Sequence, residues 1–462
     1  MNQIFIIIAS LLLAISFFAD VQSAEKKLEP WRLSETFNLP DWLELNGHHR
    51  FRYETLNGQF RAARNGGDQI VAFRTALKAK IKLDVIELTA EILDSRQALA
   101  DNGTALNSGI VNTVDLLQGH VAIHFANRLG KSQLQIGRQT MNVGSRRLVA
   151  RNIFRNTINS FTGINGSWTA ASGEMIQAFY VLPVNRLPSD RASLLDNDTQ
   201  LDEENFDVQF WGLYSKFPNG FLNLTGELYL FGLHEDDSPD RTTRNRNFYT
   251  TGFRFYRKPA LGQFDFELES VFQKGKSRAS KAVTDMTDLD HLAHFQHIQA
   301  GYTFGVPWSP RLVLQFDYAS GDKNPDDDNN NRFDTLYGAR RFEFGPTGVY
   351  GPFARSNLLS PGYRLIVKPR QNLRIILAHR FYWLASDKDA WTTSGVRDST
   401  GNSGNSIGNQ AEIIIRWDVI PSNIRIETGA AHLFSGEFME NAPNSNGEGD
   451  ASYIYLQTIF TF

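Results

Sequence analysis

The sequence predicts an all-β protein, a transmembrane antiparallel β-barrel of about 18 strands with short periplasmic turns and long outer loops. Three observations lead there. Long segments alternate apolar and polar residues with period two. Short and long connections take turns between those segments. After residue 20, no run approaches the ~18 consecutive apolar residues of a membrane-spanning helix.

From the N-terminus, residues 4–18 (IFIIIASLLLAISFF) are apolar and residues 19–24 (ADVQSA) are mostly small. This is the pattern of a secretory signal peptide, although Met1-Asn2-Gln3 carries no Lys or Arg. With residues 1–24 taken as that peptide, residues 25–462 are expected to form one exported barrel domain.

In Leu43–Tyr53, one face carries Leu43, Leu45, Phe51 and Tyr53, and the other Glu44, Asn46, His48, Arg50 and Arg52. In Val71–Leu83, Val71, Phe73, Leu77, Ile81 and Leu83 oppose Arg74, Lys78, Lys80 and Lys82. Thirteen such residues reach about 43 Å at ~3.3 Å each, long for a globular strand and right for a tilted crossing of a bilayer. The same reading places strands near 43–53, 69–83, 85–93, 113–126, 131–139, 161–171, 174–183, 205–216 and 221–232. It continues near 246–258, 262–273, 292–304, 310–319, 356–368, 371–385, 405–418, 423–434 and 451–462.

The apolar sets run over nine or more residues with no second face to pack on, so a soluble sandwich would expose them to water. In lipid, a closed sheet pairs every backbone polar group. Aromatic residues recur near strand ends, as an interfacial girdle requires. The chain has no cysteine, which excludes disulfides and thiolate metal sites. Its net charge of −3 gives no argument for nucleic acid.

If the apolar set faces lipid, the lumen receives a mixed set. It includes Arg50, Arg52, Arg74, Arg364, Arg374, Arg380, Arg416 and Arg425 among the bases, and Glu91, Glu267, Glu269, Asp317, Glu412 and Glu427 among the acids. Ile136–Phe161 stands apart. It carries Arg138, Arg146, Arg147, Arg151 and Arg155, and no Asp or Glu occurs from Leu116 to Gly173. Planar, permanently charged guanidiniums suit carboxylates and phosphates. The connection 140–160 is therefore the expected pore-folded segment, favouring anions. Three readings compete: a solvated basic loop, neutralisation by carboxylates from elsewhere, or lipopolysaccharide phosphates bound outside by Arg146, Arg147 and Arg151.

The run GRQ (Gly137–Gln139), followed by RRLVARNIFRNT (Arg146–Thr157) and SFTG (Ser160–Gly163), resembles the alginate export family of outer-membrane proteins. So does ASGDKNPDDDNNNRFDTLYG (Ala319–Gly338) with RRFEFGPTG (Arg340–Gly348). The similarity covers about 40–462. It implies an eighteen-stranded monomeric barrel whose arginine-lined constriction passes an anionic exopolysaccharide such as alginate from periplasm to exterior. Periplasmic and inner-membrane synthesis proteins are the implied partners. The resemblance carries constriction roles to Arg138, Arg146, Arg147, Arg151 and Arg155, and the inward turn of Arg74 adds that residue. Ile153 and Thr162 depart from the family pattern, which leaves the polymer open. Phe462, with apolar residues at alternate positions before it, resembles the signal read by the barrel-assembly machinery.

Other candidate sites are few. Asp322–Asp334 (DKNPDDDNNNRFD) packs oxygen ligands that suggest Ca²⁺, yet lacks the spacing of an EF-hand loop. His291, His294 and His297 would share a face only on a helix, and a strand puts His294 opposite His291. No G-x-S-x-G nucleophile turn occurs, and Glu267 with Glu269 reads as charge balance for arginines rather than a glycosidase pair. The expected function is an export channel without catalysis or cofactor; the alternative is a general or solute-specific uptake porin.

Overall fold

The computed structural model describes residues 30–101, 103–218, 220, 224–238 and 241–462. The expected signal peptide lies outside them. Eighteen strands follow the predicted order. They are β1 (Leu43–Asn57), β2 (Asp68–Leu83), β3 (Ile86–Ala98), β4 (Asn112–Asn127), β5 (Gly130–Gln139) and β6 (Phe161–Ala170). Next come β7 (Met175–Pro183), β8 (Val208–Phe217), β9 (Thr225–Glu235), β10 (Asn247–Arg257), β11 (Phe264–Ser277) and β12 (Leu289–Thr303). The last six are β13 (Arg311–Ala319), β14 (Leu358–Arg370), β15 (Leu373–Trp383), β16 (Ser406–Ile420), β17 (Ile424–Ser435) and β18 (Ala451–Thr461). Each pairs antiparallel with its neighbours in sequence.

The sheet closes where β1 meets β18, with His48 opposite Thr461 and Asn57 opposite Ser452. Closure leaves no free edge, which is the condition for strands to cross a bilayer. Short turns lie at one end, with the C-terminal residues, and long loops at the other. The Asp84 turn needs a left-handed residue and takes it at φ 52°.

The lipid face is the alternation made visible. Phe51, Leu77, Ile92, Ile136, Ile164, Leu228, Phe272, Ile298, Leu314 and Leu456 all point outward and stay exposed. Trp42, Phe125, Phe217, Phe264, Phe304 and Trp308 ring the short-turn end, the expected girdle. As the strand reading required, His291 and His297 turn inward while His294 does not.

Two expectations change. Several strands run further toward the loop end than predicted, β3 to Ala98 and β11 to Ser277. These ends stand beside folded loops, so no lipid-facing alternation marks them. The lumen is also not polar throughout. In the outer half, inward positions hold Val181, Phe210, Phe231, Leu233, Phe248, Phe295, Tyr453 and Tyr455, all buried. They pack on residues of the inward loops, among them Val149, Phe154, Phe333 and Phe344. Period two says which positions share a face; it does not say that protein, rather than water, covers the inner one.

An Ile164→Arg substitution places a cation on the lipid face of β6. It should cost about 2–4 kcal/mol near the bilayer midplane, whereas Gln299→Arg on the lumenal side should cost far less. Urea titration of both variants in lipid vesicles measures the difference.

Candidate functional site

Residues 140–160 fold into the lumen because the inner barrel wall captures their carbonyl groups. Arg50 on β1 donates to the carbonyls of Ile153 (3.1 Å), Phe154 (3.0 Å) and Arg155 (3.0 Å), and to Asn156 Oδ1 (2.8 Å). Arg52 donates to Phe154 O at 2.6 Å. From β2, Arg74 donates to Ile153 O and Arg155 O at 2.8 and 3.0 Å. Asn156 returns donors to Phe73 O, Arg96 O and Ile110 O. The Phe154 ring sits under the guanidiniums of Arg52 and Arg341, each 4.6 Å from its centroid.

A second loop, residues 320–357, folds in beside the first. Tyr337 N donates to Leu148 O (2.9 Å), Ala150 N to Tyr337 O (3.2 Å) and Ala339 N to Arg146 O (2.9 Å). A Cβ on Gly338 would lie 1.7 Å from the Arg147 carbonyl oxygen, so the approach requires glycine there.

Arg147 joins the two loops to the wall. Its Nε donates to Glu343 Oε1 at 2.5 Å, and its Nη1 contacts both Glu267 and Glu269 of β11. The side chain is 4% exposed, Glu269 1% and Glu343 2%. Burial alone would push the Arg147 guanidinium down, but the Glu267 and Glu269 carboxylates outweigh it and hold it above its ordinary range. Tyr229 and Ser145 donate to the remaining Glu269 oxygen at 2.8 and 3.0 Å. Arg355 contacts Glu343, and Arg364 donates to the Glu343 carbonyl at 2.6 Å.

His297, Asp317 and Glu343 bring one ligand atom each within 4.8 Å. Arg380 already holds Asp317 at 2.6 Å, and Arg147 and Arg355 hold Glu343, so guanidiniums supply the positive charge there.

Two chambers lie on either side of the paired loops and share Asn152 in their walls. The inner chamber, about 540 Å³ on the short-turn side, is lined by nine arginines and two glutamates. The outer chamber, about 360 Å³, is lined by six arginines and Glu235. Between them lie residues 152–155 of one loop and 338–342 of the other.

The family model for alginate export matches residues 41–450 of this chain. The chain belongs to the alginate export family. No curated protein matches the sequence. Among solved structures it is similar to Pseudomonas aeruginosa OccK8 (OprE), with a TM-score of 0.58 and 10% identity over 91% of this chain and 98% of that one. It is similar to P. aeruginosa OpdK solved with vanillate, with a TM-score of 0.56 and 12% identity over 90% and 98%. It is also similar to the P. aeruginosa outer membrane protein OprD, with a TM-score of 0.53 and 12% identity over 91% and 93%. At such identities the likeness is one of fold: this member of the alginate export family is a porin-like barrel of the Gram-negative outer membrane and a transport channel.

The six arginines picked out in the sequence of this family member take three different places. Arg138, Arg147 and Arg151 are neutralised by distant carboxylates. Arg138 pairs with Glu204 (2.5 Å) and Asp115 (3.6 Å), and Arg151 grips Glu91 with both terminal nitrogens at 2.5 and 3.1 Å. Neutralisation by acids from elsewhere therefore describes these three. Arg74 holds the loop by its carbonyls. Arg146 and Arg155 make no ion pair among the described residues. Arg146 is exposed to the inner chamber over the Phe342 ring, 5.3 Å from its centroid, with a left-handed backbone at φ 68°.

Sequence reasoning missed Arg186, Arg340 and Arg341 as chamber-lining residues. The pair Arg340-Arg341 opens a quoted motif block, so its signal was present; Arg186 stands alone in a polar loop and gave none. In the acidic stretch 322–334, Asp334 pairs with Arg246 at 2.9 Å and Asp327 accepts from Asn329 N at 2.8 Å.

Arg147→Met would leave Glu267, Glu269 and Glu343 buried without their shared partner, at a cost of about 3–5 kcal/mol. The expected results are a lower urea midpoint and protease cleavage within residues 140–160 that the parent protein resists.

Proposed function

We propose that this protein passes an anionic exopolysaccharide, alginate-like in carrying a carboxylate on its sugar units, from the periplasm to the exterior. The observation that carries the reading is the inner chamber, on the short-turn side of the paired loops: of its nine lining arginines, Arg311, Arg341, Arg416 and Arg425 pair with Asp265, Glu412, Glu427 and Asp418, and the other five make no ion pair among the described residues. A low-dielectric wall with that excess focuses the field on an entering polyanion. Family membership supports the same substrate class.

Residues divide the work. Arg50 and Arg74 spend donors on loop carbonyls, so they keep positive charge near the path while holding its shape. Arg146 and Arg374 face the chamber, make no ion pair among the described residues and meet the polymer directly. Guanidiniums spread around a wide chamber bind each carboxylate loosely, and conduction needs binding weak enough to release. The barrel has no motor, so direction follows the supply of polymer from periplasmic and inner-membrane synthesis proteins. Lipopolysaccharide surrounds the barrel, and the barrel-assembly machinery inserts it as a monomer. No residue is assigned a catalytic or cofactor role. OpdK was solved with vanillate, and uptake of small solutes is the second reading; that likeness extends to fold alone.

Single-channel recording in a planar bilayer tests the proposal. The refolded protein should prefer anions and be blocked by polyuronate added on the short-turn side. The double variant Arg146→Ala/Arg374→Ala should lower the rate of blocking severalfold, and added salt should lower it in both proteins. A cation-preferring pore indifferent to polyuronate would replace the proposal with the uptake reading.

A further inference from the structure

In the outer chamber two guanidiniums converge on one amide oxygen. Arg155 Nη2 donates to Asn159 Oδ1 at 2.5 Å, and Arg186 Nη1 donates to the same atom at 2.8 Å. Arg186 Nε donates to Ser108 O at 3.0 Å, which fixes the plane of its fork. Arg340, in the same wall, is steadied by its bond to Phe353 O at 3.0 Å. None of the three has an ion pair among the described residues, and Arg155 Nε has no hydrogen-bond partner.

Like charges set against a single neutral oxygen repel, and a charged acceptor is the missing complement. Burial first, then the Arg186 and Arg340 charges, push Arg155 well below the ordinary guanidinium range. Burial brings Arg340 down to about 10. Asp202 is the carboxyl that acts on Arg186, yet it accepts from Asn112 at 2.7 and 2.8 Å and from Leu187 N. Burial and the neighbouring Asp115 carboxyl push Asp202 above the ordinary carboxylate range, which weakens it as a counter-charge.

The chamber has room for a ligand. Its volume, about 360 Å³, falls within the range of small-molecule sites, about 300–1,000 Å³. Pro183, Val184 and Tyr337 give it apolar walls beside the arginines. Neither a uniform field nor the inner chamber accounts for this arrangement, which is a localised cradle beyond the paired loops.

We propose that Arg155, Arg186 and Arg340 form a discrete oxyanion site in the outer chamber that holds one saccharide carboxylate, with Asn159 Oδ1 as the acceptor it displaces. The inference rests on the export reading and deepens it. A carboxylate brings two oxygens and four lone-pair positions where Asn159 brings one oxygen, so each guanidinium gains a charged acceptor of its own. With the inner chamber before the paired loops and this site after them, the polymer has two holding points in series, and each carboxylate leaves as the next arrives.

Isothermal titration calorimetry on the full chain in detergent decides the matter, with trimannuronate, inorganic phosphate and the neutral trisaccharide maltotriose as probes. Trimannuronate should bind and maltotriose should not. Arg186→Gln should weaken trimannuronate about tenfold or more, and Arg186→Lys should recover only part of that loss because a point charge replaces the fork. Unchanged trimannuronate affinity in Arg186→Gln, or equal binding of maltotriose, overturns the site. Phosphate binding as tightly as trimannuronate overturns its assignment to a saccharide. Polyuronate block of the parent channel is recorded in parallel. Its absence counts against the export reading itself, whereas block with no Arg186 effect on trimannuronate counts against the outer site alone.

Discussion

Arg147 is the residue on which the lumen depends. The donors of its buried guanidinium need acceptors, and the loop that carries it finds charged ones in Glu267 and Glu269 on the wall and Glu343 on the second loop. Once it does, Glu343 is fixed, Arg355 and Arg364 follow, and residues 320–357 are held against residues 140–160. The pairing of the loops between the chambers is a consequence of that ion cluster. Its permanent hydrogen bonds to backbone, from Arg50, Arg52 and Arg74, complete the attachment.

The arrangement divides arginines into two kinds. Those with carboxylates, Arg138, Arg147 and Arg151, build the scaffold. Those that make no ion pair among the described residues, such as Arg146, Arg155, Arg186 and Arg340, leave positive charge unspent along the path. An ion pair is locked in place by its partner, whereas a guanidinium resting on a carbonyl still favours a passing anion. Scaffold and transport surface are thus made from one residue type, distinguished by what each side chain faces.

Much of the barrel was legible in the sequence, because lipid imposes a strict rule. Each strand must show apolar residues at alternate positions, so Leu43–Tyr53 and Val71–Leu83 announced their faces and their length. The loops obey no such rule. The acid-free stretch around Arg147 pointed to anions, yet its neutralising acids lie 120, 122 and 196 residues away in sequence. No local pattern reveals pairs at that separation. The inward aromatics of the outer half, among them Phe210, Phe231 and Tyr455, were hidden for a related reason: they face folded loops rather than water. The resemblance blocks at Arg146–Thr157 and Ala319–Gly348 were nevertheless well chosen by the sequence, since they are the two segments that pair in the lumen through Leu148, Ala150 and Tyr337.

The most direct test of this account is whether residues 140–160 are held inside the barrel in solution. The chain has no cysteine, so nitroxide labels can be placed through Ile153→Cys on the loop and Leu129→Cys on a short turn, both exposed sites. Double electron–electron resonance in lipid should then give one narrow distance distribution, matching a loop docked in the lumen. A broad distribution, or one placing residue 153 beyond the outer rim, would contradict the docking of the loop and with it the two-chamber path.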